Sequence, residues 1–127
     1  MGSKIRCETD AKHKHHYNRL EYLISVADKT PLVCKECSGK LVYTTKQIYP
    51  NSGNEVNYIL ENARRIKEKY DRYIPLLLKL KSSKEKSTYW LQYWVKTKNK
   101  NGKESWKYGQ YSPILTETQM KSLSELL

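Results

Sequence analysis

Two cysteines, Cys34 and Cys37, are separated by two residues, a spacing that lets both thiolates bind one metal ion. Gly39 follows closely and permits a tight turn, while residues 31–34 and 40–43 have the apolar and β-branched character of two short strands. The only other cysteine is Cys7, and an odd number argues against a disulfide framework. The sequence therefore predicts a metal-binding turn.

All three histidines lie together, shortly after Cys7. If this segment is helical, His13 and His16 lie one turn apart on one apolar stripe, whereas His15 points about 100° away. Zinc favours four sulfur and nitrogen ligands in tetrahedral geometry. The predicted zinc ligands are Cys7, Cys34, Cys37 and either His13 or His16.

The residues leave two alternatives to zinc open, a redox-active dithiol and cysteines that are simply buried. A thioredoxin-like dithiol needs a βαβ context, which the sequence does not show. A catalytic zinc usually has an open position and an adjacent carboxylate base. Glu8, Asp10 and Glu36 are near in sequence but form no recognised pattern such as His-x-Glu, so the predicted zinc is structural and no catalytic residue is predicted.

Cys34, Cys37 and Gly39 resemble the Cys-x-x-Cys-x-Gly knuckle of the broad zinc-ribbon and treble-clef group. The resemblance covers the N-terminal part of the chain and implies a small zinc unit made of a helix and a Cys-x-x-Cys hairpin. The first ligand pair departs from the usual spacer of about two to four residues. Cys7 precedes both His13 and His16 by more than that.

Three segments have helical periodicity. The first covers about Asp10–Asp28, and the last covers Thr116–Leu127, where Thr116 and Gln119 can form a capping box. The middle segment begins near Asn54 and predicts a long amphipathic helix that Pro75 ends or kinks. Its apolar positions are Val56, Ile59, Leu60, Ala63, Ile66, Tyr70, Tyr73, Ile74 and Leu77.

Asn101 and Gly102 lie between two aromatic segments, Thr88–Thr97 and Glu104–Tyr108, and predict a β-hairpin with a two-residue turn. In that register one face is a predicted core, formed by Leu91, Tyr93, Val95, Trp106 and Tyr108. The other face combines indoles with lysines. The predicted nucleic-acid or partner-binding residues are Trp90, Trp94, Lys96, Lys98, Lys107 and Tyr111. The open alternative is that both indoles are buried, with the lysines at their rim.

Together these elements predict an α+β fold with two parts. Residues 1–50 form the zinc-binding helix and hairpin unit, and residues 51–127 form the long helix, the basic aromatic hairpin and the short C-terminal helix. We expect the two parts to pack as one compact domain, since 127 residues suffice for one hydrophobic core.

The chain is strongly basic, with 24 lysines and arginines against 13 acidic residues and a net charge of +11. No apolar run approaches the roughly 18 residues of a membrane span, and no apolar leader stands at the N-terminus, so we expect an intracellular protein without a membrane partner. The predicted function is a zinc-stabilised, non-catalytic nucleic-acid-binding protein, of DNA or RNA, that favours single-stranded regions.

Two other functions stay open from the sequence. One is an accessory or inhibitory protein of a phage or mobile element, which binds a nuclease, a polymerase or a CRISPR effector. The other is a small zinc-dependent nuclease, for which the histidine run and nearby acids would have to supply a base.

Overall fold

The computed structural model describes residues 2–14, 17–48, 52–82, 87–109 and 114–126. The elements in these ranges are β1 (Gly2–Cys7), α1 (Arg19–Ala27), β2 (Leu41–Ile48), β3 (Glu55–Arg65), β4 (Tyr73–Lys81), β5 (Thr88–Lys98), β6 (Glu104–Tyr108), β7 (Ile114–Thr116) and α2 (Glu117–Ser124). The strands form one antiparallel sheet in the order β1-β2-β3-β4-β5-β6, and β7 pairs with the start of β5. This mostly β architecture corrects the predicted α+β fold.

The sheet has one buried face and one that is largely exposed, because successive side chains of a strand point to opposite sides. We call the side that α1 covers the inner face and the opposite side the outer face. β4 contributes a row of buried aliphatic side chains to the inner face, and β5 contributes a buried aromatic and polar row beside it. These rows are Ile74, Leu76, Leu78 and Leu80 on β4, and Thr88, Trp90, Gln92 and Trp94 on β5.

Helix α1 closes the inner face. Asn18 caps it by accepting a hydrogen bond from the backbone N–H of Glu21 at 2.8 Å. The ring of Tyr22 stacks on Tyr43 of β2, with centroids 6.3 Å apart. The guanidinium of Arg19 lies 5.4 Å from the ring centroid of Trp94 on β5. The helix thereby packs across the middle of the sheet.

The predicted long helix from Asn54 to Leu77 is wrong, because this segment forms the hairpin of β3 and β4. A β-bulge between Leu60 and Asn62 adds one residue to β3, so Leu60 and Ala63 both face inward although three positions separate them. That spacing imitates a helical repeat. Pro75 lies near the start of β4, where its carbonyl accepts a hydrogen bond from the Ile66 N–H, just after β3, at 3.0 Å.

The N-terminal helix and hairpin differ from the prediction, and the C-terminal helix agrees with it. α1 is limited to Arg19–Ala27, whereas the C-terminal helix and its capping box of Thr116 and Gln119 are confirmed. The predicted strand before Cys34 is reduced to one isolated bridge between Val33 and Lys40, so no zinc-ribbon hairpin of two strands forms. The sheet itself continues from residues 1–50 into 51–127, since β2 pairs with β3.

The hairpin of β5 and β6 is confirmed, but its register differs by one residue from the prediction. Val95 pairs with Lys107 instead of the expected Tyr108. The turn is a three-residue loop, closed by the Asn99 N–H, which donates to the Lys103 carbonyl at 3.0 Å. Of the two expected turn residues, only Gly102 has a positive φ, 78°. A shift of one residue moves each β6 side chain to the other face relative to β5.

The faces of β5 are also reversed from the prediction, for a separate reason. Trp90 and Trp94 are 2% and 5% exposed, so the prediction that one of these indoles is exposed is wrong and the alternative, that both are buried, holds. The N–H of Trp94 donates to the Gln92 side chain at 3.3 Å, which satisfies its polar group inside the core. Leu91, a predicted core residue, is 44% exposed on the outer face. The leucine row of β4 decides this choice, since Leu78 pairs directly with Trp90.

This assignment predicts that substitutions on the two faces of β5 differ in their effect on stability. Trp94→Ala should lower the free energy of unfolding by about 3–5 kcal/mol, because it leaves a large cavity in the core. Leu91→Ala, on the same strand but exposed, should change it by about 0.5 kcal/mol or less. Denaturant unfolding of both variants measures the difference, and equal destabilisation would contradict the assignment of faces.

Candidate metal centre

Four side chains from three segments meet beside the end of β1. Cys7 is the last residue of β1 and faces inward opposite Leu41, while His13 lies in the turn that follows β1. Cys34 and Cys37 lie in the turn before β2. One ligand atom from each of Cys7, His13, Cys34 and Cys37 lies within 4.8 Å of the other three, so this cluster could hold a metal ion.

Two short contacts define the cluster, and its members differ in exposure. The sulfurs of Cys7 and Cys37 are 3.4 Å apart, and the Cys34 sulfur is 3.7 Å from Nδ1 of His13. Cys7 and Cys34 are buried, His13 is half-buried, and Cys37 is exposed. An ion here would be held mainly inside the protein and reached from the Cys37 side.

The turn that carries two of the cysteines is fixed by its own backbone. The Cys34 N–H donates to the Gly39 carbonyl at 2.9 Å, and the Ser38 N–H donates to the Cys34 carbonyl at 2.8 Å. The Gly39 N–H donates to the Cys37 sulfur at 3.3 Å. A Cβ at Gly39 would lie 2.9 Å from the Thr9 hydroxyl and 3.0 Å from that sulfur, so only glycine fits without displacement.

The turn that carries His13 is fastened to the same region. The Glu8 N–H donates to the Lys40 carbonyl at 2.9 Å, which extends the pairing of β1 and β2 by one bond. The Lys14 N–H donates to the Glu36 carboxylate at 2.8 Å and thereby links the two ligand-bearing turns directly. The turn that carries His13 is thus held by backbone contacts that do not involve the ligand atoms.

The electrostatics of the cluster favour a thiolate. The pKa of Cys7 falls to about 6, mainly because the Asp10 backbone N–H donates to its sulfur. Hydrogen bonds from His13, Cys37 and the Thr9 N–H also lower this pKa, whereas burial raises it. Hydrogen bonding to Cys7 raises the pKa of His13. At Cys37 the Gly39 N–H acts to lower the pKa, but Cys7, burial and Cys34 outweigh it and the pKa is raised.

The remaining predicted site residues do not form one surface. Lys96 and Lys98 lie on the same side of the hairpin and pair with Glu104, at 3.1 and 4.0 Å, whereas Lys107 belongs to the outer face. The one-residue shift in register causes this separation. Three predicted or alternative residues, His15, His16 and Tyr111, lie outside the described residues.

Sequence reasoning missed the charge of the outer face. Counted over the part of the chain that the structure describes, seven basic and two acidic strand residues lie there. The basic residues are Lys4, Arg6, Lys46, Arg64, Lys79, Lys81 and Lys107, and the acidic ones are Glu55 and Glu61. The alternation of cations along β1 was the available signal, since Lys4 and Arg6 flank inward-facing residues.

The close approach at Gly39 yields a prediction for metal affinity. Gly39→Ala should weaken zinc binding by roughly 10- to 100-fold, the usual effect of disturbing a group that orients a ligand. Lys40→Ala, an exposed neighbour, is the matched control and should bind as the original protein does. Competition against a chromophoric chelator measures both, and equal affinities would contradict the role given to Gly39.

Within the described ranges, none of the helices has the length and apolar character needed to cross a membrane. Comparison with protein-family models, with curated proteins and with solved structures found no match to this chain. The site is therefore interpreted from its own geometry and chemistry.

Proposed function

We propose that this chain is a nucleic-acid-binding protein whose fold is stabilised by one structural zinc ion and which has no catalytic role. The observation that carries the binding function is the excess of cations on the outer face of the sheet. The zinc assignment is supported separately by the chemistry and spacing of the four ligand atoms.

Three thiols and one imidazole match the ligand preference of zinc. A tetrahedral ion with bonds of about 2.3 Å to sulfur and 2.0–2.1 Å to nitrogen has ligand atoms roughly 3.5–3.8 Å apart. The contacts of 3.4 and 3.7 Å lie close to these values, and the 4.8 Å limit for the whole set requires only small movements. Zinc would bind Cys7, His13, Cys34 and Cys37.

A structural role follows from the number and position of these ligands. Four protein ligands fill the tetrahedron and leave no position for a substrate or an activated water. The ligands come from the end of β1 and from two turns that have little regular structure of their own. Zinc would hold these segments together, as a small number of coordination bonds does in other small domains.

The outer face offers a polyanion a favourable electric field. Its two acidic residues lie near lysines, with Glu55 3.3 Å from Lys46 and Glu61 3.9 Å from Lys79, so they offset only part of the positive charge. Closely spaced phosphates are the natural counterpart of such a surface, since each contact with a cation releases condensed counterions.

One prediction concerns the metal. Protein prepared with zinc should contain about one equivalent, and His13→Ala should reduce this content and lower the melting temperature, because one of four coordination bonds is lost. Lys14→Ala, the adjacent exposed residue, should leave both unchanged. Elemental analysis and thermal unfolding measure the effect. Zinc below about 0.2 equivalents in the original protein would contradict the proposal.

A second prediction concerns salt. If phosphate contacts dominate, affinity for nucleic acid should fall steeply between about 50 and 200 mM salt, with a slope of about −0.7 to −0.9 per contact on logarithmic axes. Fluorescence anisotropy of a labelled oligonucleotide measures this slope. A flat response, or no binding at low salt, would refute the proposed binding function.

A further inference from the structure

We infer that the outer face of β3, β4 and β5 binds single-stranded nucleic acid on a strip formed by Tyr89, Leu91 and Tyr93, with Arg64 and Lys79 holding phosphates beside it. We call these three residues of β5 the outer strip. The inference rests on the proposed function and deepens it by naming the surface and the form of the nucleic acid.

The register of the sheet places the cations next to the outer strip. Arg64 of β3 pairs with Leu77 of β4, which pairs with Leu91, so these three side chains form one row across the sheet. Lys79 pairs directly with Tyr89 in the next row. Neighbouring strands are about 4.8 Å apart, so both cations lie within two strands of the outer strip.

Apolar and aromatic groups lie on the outer face of β5, between the cations of β4 and Lys107 of β6. Leu91 is 44% exposed although it lies on an interior strand of the sheet, and Tyr89 and Tyr93 follow it at two-residue spacing on either side. Tyr89 and Tyr93 are half-buried, so the strip is most exposed at Leu91. Accessible apolar surface beside cations is typical of an interaction site. Successive residues on one side of a strand are about 7 Å apart, so the backbone positions of the two tyrosines are separated by about 13 Å.

One ring of the strip is held in place by its neighbours. Gly109 lies directly beneath Tyr93, and a Cβ at that glycine would collide with the tyrosine ring. Tyr73 packs against the same ring, with centroids 5.7 Å apart. A fixed aromatic ring loses little conformational entropy on binding, which favours stacking with a base.

The aromatic character favours a single strand over a duplex. Unpaired bases can stack on exposed rings, a contact worth about 1–3 kcal/mol per base, whereas the bases of a duplex are already stacked on one another. A surface that bound duplexes through phosphates alone would need the cations but not Tyr89 or Leu91. The cations in turn favour nucleic acid over an uncharged protein surface.

The test uses the full, zinc-loaded chain with labelled oligo-dT and oligo-U of about 20 nucleotides and a duplex of equal length. Arg64→Glu combined with Lys79→Glu should weaken single-strand binding at least 10-fold, and Tyr89→Ala should weaken it roughly 5- to 100-fold. Lys100→Glu combined with Lys103→Glu makes the same change in net charge in the β5–β6 turn and is the matched control. It should weaken binding less than about threefold.

The outcomes separate this inference from the proposed function. Selective losses at the outer face, together with weaker binding of the duplex by the original protein, would support the strip. If the original protein binds nucleic acid but the control loses as much affinity as the outer-face variants, or if the duplex binds as well, the strip is wrong and the proposed function stands. Unchanged nucleic-acid affinity in every outer-face variant would also overturn the strip and would place the nucleic-acid contacts on another surface of the protein. No nucleic-acid binding by the original protein would overturn both.

Zinc content and thermal unfolding of each variant provide the folding control. Tyr89→Ala removes a half-buried side chain beside α2. Tyr89→Phe keeps the ring and should retain single-strand affinity within about twofold, since stacking does not need the hydroxyl. A folded Phe variant that binds as weakly as the Ala variant would refute stacking at this position.

Discussion

The burial of only one face of the sheet sets the positions of both candidate sites. A shift of one residue in any strand would move its apolar side chains to solvent and its polar ones to the core, so the inner rows of β4 and β5 fix the register firmly. Leu78 opposite Trp90 and Ile74 opposite Trp94 are the pairs at the centre of this constraint. Full burial of one such side chain contributes about 1.5–3 kcal/mol, which exceeds what an exposed ion pair contributes.

The same constraint separates the chemistry of the two faces. Cys7 ends the inner row of β1, where its buried sulfur meets the turns that carry the other ligands, whereas Lys4 and Arg6 alternate with that row and face outward. The cation at Lys79 likewise alternates with Leu78 and Leu80. On β1, a candidate metal ligand and basic side chains therefore come from one strand without competing for the same surface.

The sequence was informative where the signal is local. The spacing of Cys34 and Cys37, the strands on either side of Gly102, and the cap at Thr116 each depend on a few neighbouring residues, and the structure has all three features. The cluster that could hold a metal was predictable up to the choice of histidine. That choice was argued from a helix, whereas the structure has a turn at His13.

Features that depend on distant partners were not predictable in this way. The bulge after Leu60 converts a two-residue repeat into a three-residue step, and a window over β3 alone cannot distinguish that step from a helix turn. The choice of face on β5 depended on Leu78, which is twelve residues away from Trp90 in the chain but directly opposite it in the sheet. The outer face was missed because its cations come from separate strands.

The metal cluster and the outer strip depend on different parts of the fold. β1 pairs with β2 along one edge, and its last residue, Cys7, belongs to the cluster that could hold a metal, so loss of a bound ion would act first on this edge and on the turns beside it. Tyr89 and Leu91 lie on β5, whose inner side is packed against α1 and β4 by buried indoles and leucines. The free energy that positions the outer strip thus comes from the hydrophobic core, while a bound metal would contribute mainly at the β1 edge. A metal ion held by these four side chains would support the edge of the sheet and would take no part in contacts made by the outer face, which lies on the opposite side of the sheet.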